Sequence, residues 1–413
     1  MSVIFPPLQL YGIVEVKERC VHGDGVKNSM DTNGNSQLDI VIQRWPDIQL
    51  EEAQSVFDLL QSPVRARAIV SNSGRPTAAA ALIDTDYGLM FMKRYARSVR
   101  DVQTIEPYHR YVAYLANKGI CTPIFLPFAS GSNSDVVVQK TGDTTAIRGN
   151  DIYEVYSAAE GEDRYGKALT WDPPATLSEA YCLGEMLASI DLASSGFNEP
   201  RMVPNGMTNT FGLFATPDLD KQWQQWIAQR PSVSEYLSMT KRDIVHDLEA
   251  IRPYASRIAH AYEQLESTWI HGDPHISNFL WENDGPCAVI DFGLADRNTA
   301  LFDLVMALER HAIQWVEVSA GKLDAYRLDV AEAILKGYAE VRPLSDIEKE
   351  ILPDVLRLAQ AEAGLNWLQY YMNGTRRLED AAWCYDSCFL AHMQWFDTIP
   401  GRDLLDGIRR ALD

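Results

Sequence analysis

Two short stretches hold the side chains with the most chemistry to offer. The octapeptide HGDPHISN occupies residues 271–278 and supports two readings. His271, Asp273 and His275 stand at alternate positions and are metal-binding types, as a metal-dependent hydrolase would need. Asp273 and Asn278, five residues apart, are instead a proton-accepting carboxylate and a hard-oxygen metal ligand on one tight loop. Thirteen residues beyond Asn278 stands Asp291-Phe292-Gly293, delivered by the apolar run 288–290. Magnesium usually accepts only one or two protein oxygens, and Asn278 with Asp291 supplies them. The order Asp273, Asn278, Asp291 suits one phosphate site, with Asp273 as the base beside an acceptor hydroxyl.

Phosphoryl transfer also needs a cation on the phosphates and something to fix that cation. In LMFMKRY, Met90 and Met92 alternate with Phe91 and Lys93, which sets Lys93 on one strand face and Arg94 on the other. Glu106, on the following helix, is the candidate partner of Lys93. Pro107 requires that helix to begin near Thr104, with Glu106 in its first turn. The hydrolase reading gives no role to Lys93, Asn278 or Asp291, and His246, His260, His311 and His392 show no ligand spacing. A nucleotide-binding scaffold without catalysis is a third reading, and the intact Asp273, Asn278, Asp291 and Lys93 speak against it.

The elements that must position these residues fall into two groups. Residues 50–61 have the apolar spacing of a helix. From 64 to 156 the pattern is mostly strands: two runs around a turn at Ser73-Gly74, a strand ending at Lys93-Arg94, a hairpin over Thr141-Gly142-Asp143, and DIYEVY. One helix, from Asp101 to Asn117, interrupts them. Gly and Pro in residues 157–175 then mark a linker. Thr176 and Glu179 form a capping box that opens a helix through Ala193. Residues 216–266 and 320–396 carry long helical periods. This is an α+β chain with a small antiparallel-sheet lobe and a large, mostly helical lobe. We divide it into an extension at 1–60, a sheet-rich nucleotide lobe at 61–156 and a helical lobe at 157–413. Near the start, residues 8–16 read as a strand. Asp31, Asn33 and Asn35 begin like a calcium loop, but Ser36 and Ile42 occupy positions that need Gly and Glu, so this is a loop.

Composition narrows the function classes. The 413 residues carry a net charge of −20. Residues 1–156 hold 17 acidic and 15 basic side chains, and the remainder 40 and 22, so the excess lies in the second part. That argues against nucleic acid, which needs a basic face, and suits a cationic small molecule there. Glu362, Glu379, Asp380, Asp386 and Asp397 are candidates to line its pocket, although acids on helices are more often solvated faces. Trp367, Tyr370, Tyr371, Trp383 and Trp395 read chiefly as core. No stretch approaches the roughly 18 apolar residues of a membrane span. The start MSVIFPPLQL has no basic n-region, so a cytoplasmic location is expected. Six scattered cysteines, with Cys384 and Cys388 one helical turn apart, read as free thiols.

IHGDPHISNFLW followed by VIDFGLADRNTALFDLVMALE resembles the aminoglycoside phosphotransferase and choline kinase family of kinase-like small-molecule phosphotransferases. The resemblance covers residues 65–310 and is best at 269–308. It implies a two-lobed, protein-kinase-like fold with ATP in the cleft. Asp273 would be the catalytic base, Asn278 and Asp291 the Mg2+ ligands, Lys93 the phosphate-positioning lysine and Glu106 its partner. His271 would brace the loop through backbone hydrogen bonds, and Asp303 would be the buried acid beneath it. Tyr153-Glu154-Val155 falls where the family's hinge binds adenine through backbone groups, which makes Glu154 and Val155 nucleotide-binding candidates. SNSGRPT lacks a full G-x-G-x-x-G and leaves Ser73 and Gly74 as the phosphate-loop candidates. The expected partner is a small molecule bearing a hydroxyl; a protein Ser/Thr acceptor is the alternative.

Overall fold

A computed structural model describes residues 45–74, 77–129, 132–133, 136–137, 143–202, 208–214 and 216–413. The strand expected at 8–16, the loop at 31–36 and the turn residues Thr141 and Gly142 lie outside these.

The small lobe begins with α1 (Leu50–Phe57), followed by β1 (Ala66–Gly74), β2 (Ala79–Thr85) and β3 (Gly88–Ala96). Helix α2 (Glu106–Asn117) comes next, then β4 (Ser132–Asn133), β5 (Val136–Val137), β6 (Thr145–Arg148) and β7 (Asp151–Ser157). The strands form one sheet in the order β1-β2-β3-β7-β6-β5-β4, every pairing antiparallel. A 3-10 turn at Val102–Thr104 precedes α2, and Pro107 sits in its first turn, where its missing N–H leaves no bond unmade.

Alternation along β3 decides what each sheet face presents. Met90 and Met92 enter a core shared with Val56 and Phe57 of α1 and with Ile83 and Val155. Arg94 turns the same way, and its Nη1 donates to Glu52 Oε1 on α1 at 2.5 Å. Lys93 and Tyr95 face the other side, toward α2 and the cleft. Ile48, Ala53, Val56, Phe57 and Leu60 are buried in this small-lobe core. Part of what the sequence presents as an extension is thus packed into the lobe. Ser73 and Gly74 still belong to β1, opposite Ala80 and Ala79, so the turn comes later than the sequence suggests. Ala79, Ala80 and Ala81 of β2 pair with Gly74, Ser73 and Asn72.

The large lobe opens with α3 (Leu177–Ser194), capped as expected: Thr176 Oγ1 accepts from Glu179 N, and Glu179 Oε2 from Thr176 N, both at 3.1 Å. Helices α4 (Leu219–Ala228), α5 (Pro231–Thr240), α6 (Ile244–Glu249) and α7 (Arg252–Tyr262) follow. Four short strands come next: β8 (Ser267–Ile270), β9 (Phe279–Glu282), β10 (Gly285–Val289) and β11 (Asp296–Thr299). β8 pairs with β11 and β9 with β10. Helix α8 (Ala300–Ala312) is buried along its whole length. The chain ends with α9 (Trp315–Ser319), α10 (Leu328–Val341), α11 (Asp346–Asn373), α12 (Leu378–Trp383), α13 (His392–Trp395) and α14 (Ile399–Leu412). Between α12 and α13 the backbone of Cys384–Ala391 winds as a π-helix. The lobes join after β7, where Glu162 and Trp281 exchange backbone hydrogen bonds of 2.9 and 3.0 Å. Among the described residues no helix is long and apolar enough to cross a membrane.

Candidate active site

The octapeptide leaves β8 and is held from below by α8. Asp303, fully buried, accepts from His271 N and Gly272 N at 2.9 Å each. Burial pushes its carboxyl above the usual range, against the pull of these two N–H donors and of nearby His271. Gly272 has φ +81°, and a Cβ there would sit 2.4 Å from Leu294 O, so this turn admits only glycine. His271 Nε2 donates to Ile290 O at 2.9 Å, while its Nδ1 accepts from Asp273 N at 3.2 Å. Both ring nitrogens are therefore committed, and His271 has none left to bind a metal. Among the described residues no group of three His, Cys, Asp or Glu side chains could hold a metal ion. The hydrolase arrangement is not what this loop builds.

The loop then winds through a 3-10 turn, Ile276–Asn278, and enters β9. Asn278 Nδ2 donates to Asp273 O at 2.9 Å, which leaves its Oδ1 out of that bond. Ile290 N donates to Asn278 O at 2.9 Å and ties the end of β10 to the same turn. Asp291 follows with φ 59° and ψ 59°, a left-handed conformation that few non-glycine residues adopt. Its Oδ1 receives Lys93 Nζ at 2.9 Å across the cleft. Burial works against the charge on Lys93, but Asp291, aided by Tyr156, Tyr95 and Glu154, holds its pKa well above the ordinary value. Arg100, ahead of α2, donates to Gly293 O and so reaches the same turn from the small lobe.

Sequence reading missed what surrounds Asp273. Arg310, near the end of α8, sets Nε and Nη2 each 3.3 Å from Asp273 Oδ1. Its Nη1 donates to Glu309 Oε2 at 2.5 Å, and Glu309 Oε1 accepts from Trp171 Nε1 at 3.2 Å. Burial opposes the Arg310 charge, yet Glu309 and Asp273 raise its pKa. Arg310 lies seven residues after Asp303, two turns along the same helix face; that spacing was the available signal. His275 is buried, with Nε2 3.6 Å from Asp273 Oδ2 and Nδ1 2.9 Å from Ser277 Oγ.

Three expected placements differ. Glu106 does not meet Lys93: it accepts from Thr144 N at 2.9 Å, Thr144 Oγ1 at 3.0 Å and Thr145 Oγ1 at 2.7 Å. As the first residue of α2 it sits at the helix end rather than over β3. Glu154 and Val155 lie mid-strand. Glu154 has Lys93 on one side and Thr145 on the other, and Val155 O accepts from Leu126 N. Their backbone groups are engaged in the small lobe, and the crossing to the large lobe begins after Ser157. The acids considered for an acceptor pocket are mostly paired. Glu362 is buried and takes Gly212 N, Thr210 Oγ1 and Trp226 Nε1. Asp386 pairs with Arg242, Asp397 with Arg357 and Asp380 with Arg377, while Glu379 is exposed. Cys384 and Cys388 are buried and are not joined in a disulfide.

The donors suit magnesium. Asn278 offers an amide oxygen and Asp291 a carboxylate, hard ligands at the small number this ion takes from protein.

A family model described as a phosphotransferase enzyme family matches residues 72–344. The chain is 31% identical over 178 residues to homoserine kinase of Polaromonas naphthalenivorans, covering 42% of this chain and 48% of that protein. It is 25% identical over 278 residues to homoserine kinase of Caulobacter vibrioides, covering 67% and 73%. The matches thus span about half to three-quarters of these relatives. A solved structure of a microcompartment-associated aminopropanol kinase superposes with a TM-score of 0.52 over 86% of this chain and all of the other, at 14% identity. That likeness concerns the two-lobed fold.

Proposed function

Because the chain belongs to the phosphotransferase enzyme family, we propose that it transfers the γ-phosphoryl group of ATP to the hydroxyl of a small amino-bearing molecule. Homoserine is the acceptor we put first. The observation that carries this reading is the joining of Asp273, Asn278, Asp291 and Lys93 in one cleft. The Asn278–Asp273 and Lys93–Asp291 contacts, each 2.9 Å, make two pairs, and the backbone bond from Ile290 N to Asn278 O sets the pairs side by side. The homoserine kinases among its relatives supply the acceptor class.

Asp273 receives the proton of the acceptor hydroxyl as that oxygen attacks phosphorus. One O–P bond forms, the bond from the γ-phosphorus to the bridging oxygen breaks, and ADP leaves with that electron pair. Arg310 keeps the Asp273 carboxylate pointed at one place, and the braced His271–Gly272 turn keeps its backbone there. Lys93 positions the nucleotide phosphates. Asn278 and Asp291 would hold magnesium, which when bound offsets phosphate charge.

An ADP-release assay with homoserine, amino alcohols, aminoglycosides and sugars tests this. Homoserine or a close amino alcohol is expected to stimulate release in the presence of Mg2+. Asp273→Ala should lower turnover by about 10²-fold or more with the melting temperature kept. Normal turnover in that variant would sink the assignment of the base. Stimulation by a protein and by no small molecule would replace the acceptor class.

A further inference from the structure

Lys93 needs a fixed negative charge that stays with it when Asp291 turns to other duties. Its ammonium rests on Asp291, which we assign to the metal. A buried ammonium with no lasting counter-charge is costly. Glu106 on α2, the partner expected from the sequence, is spent on Thr144 and Thr145.

The β3–β7 register supplies another carboxylate. Lys93 and Glu154 stand directly opposite one another. Directly opposed side chains share a face, with Cβ atoms about 5 Å apart, well within the reach of a lysine. Glu154 is 1% exposed. Tyr95 Oη donates to it at 3.2 Å, Tyr108 Oη donates to its other oxygen, and His109 Nε2 lies 2.9 Å away. Tyr108 and His109 both belong to α2, at positions that face the sheet. The usual arrangement of a helix carboxylate over a strand lysine is thus transposed: the carboxylate is on the strand, and the helix brings the groups that hold it. Glu106 is the far end of the same chain of contacts, since Thr144 Oγ1 donates to Glu106 and lies 2.7 Å from His109 Nδ1.

We propose that Glu154 on β7, and not Glu106 on α2, is the positioning residue that fixes Lys93 for the nucleotide phosphates. The assignment rests on reading Lys93 as the phosphate-contacting cation. Helix α2 then acts at one remove. Through Tyr108 and His109 it sets the orientation of Glu154, and through Glu154 that of Lys93.

Calorimetric binding of Mg2+ with a non-hydrolysable ATP analogue tests it and needs no acceptor. Glu154→Gln should weaken binding about tenfold or more, while Glu106→Gln should stay within about twofold of the parent. The reverse ranking overturns the proposal. In a Lys93→Met background, Glu154→Gln should add little. An equal further loss there means that Glu154 acts on packing rather than through Lys93, and also overturns it. If Glu154→Gln does not fold, a crystal structure of the parent chain with the same ligand decides. Lys93 Nζ within about 4 Å of Glu154 supports the assignment, and Lys93 paired with Glu106 overturns it. Parent protein that binds neither Mg2+ nor nucleotide would instead sink the kinase reading beneath it.

Discussion

At the scale of single residues, the site is built from groups that would be unstable alone. Arg310 and Glu309 are both buried and stand between Asp273 and Trp171, so each charge is matched on the spot. His392 lies close to this group and is handled differently. It is buried, its ring stacks on Trp315 at 3.8 Å, and neither ring nitrogen has a hydrogen-bond partner among the described residues. Burial, with nearby Arg310, pushes its pKa down to about 3. The folded chain therefore keeps His392 neutral, while the unfolded chain protonates it below its ordinary 6.5. The unfolded state binds more protons in that interval, so the stability contributed is full above pH 6.5 and declines as pH falls toward 3. His392→Phe keeps the stacking and removes the titration. Its unfolding free energy relative to the parent, read from urea unfolding at each pH, should climb steadily as pH falls from about 6.5 to about 4.5, reaching on the order of a few kcal/mol at the acid end. A difference that stays flat over this range would count against a neutral buried imidazole.

At the scale of elements, a helix crossing in the large lobe leaves no tolerance. A Cβ on Gly337 of α10 would lie 2.0 Å from Tyr181 O on α3, and one on Gly184 of α3 would lie 2.2 Å from Ile334 O. Gly337→Ala must push the two backbones apart and should cost about 1–3 kcal/mol, read as a lower urea midpoint. An unchanged midpoint would mean that the helices do not touch there. The sequence announces these helices but not their contact, because a glycine inside a helical period looks like a weak spot rather than a close approach. The same asymmetry runs through the site. Asp273, Asn278 and Asp291 are legible because their spacing along the chain sets their geometry. Lys93 is legible because strand alternation fixes its face. Glu154 and Arg310 take their roles from neighbours on other elements: Glu154 from the β3–β7 register and α2, Arg310 from the way α8 lies under the loop. Glu106 misleads for the same reason. Pro107 places it correctly in the first turn, yet which end of α2 overlies Lys93 is a matter of packing.

At the scale of the whole molecule, two of the contacts between the lobes converge on the turn at Asp291–Gly293. Lys93 reaches Asp291, and Arg100 reaches Gly293 O, both from the small lobe to the same turn of the large one. A nucleotide bound with magnesium would add further ties at this turn, from Lys93 on one side and from Asn278 and Asp291 on the other. Ligand that binds only the folded chain stabilises it by about 2.7 kcal/mol at a hundred times its dissociation constant. Mg2+ with ATP should therefore raise the melting temperature by several degrees, with a rise that grows with nucleotide concentration. Chelation by EDTA should remove most of that rise, because Asn278 and Asp291 then have no cation through which to hold the phosphates. Asp291→Asn should act twice. Without ligand it should melt lower than the parent, since buried Lys93 loses the partner 2.9 Å away. With Mg2+ and ATP it should show little further rise. If ATP stabilises the parent equally in EDTA and in Mg2+, Asn278 and Asp291 are not metal ligands. If Asp291→Asn melts like the parent, the contact across the cleft does not hold the lobes together.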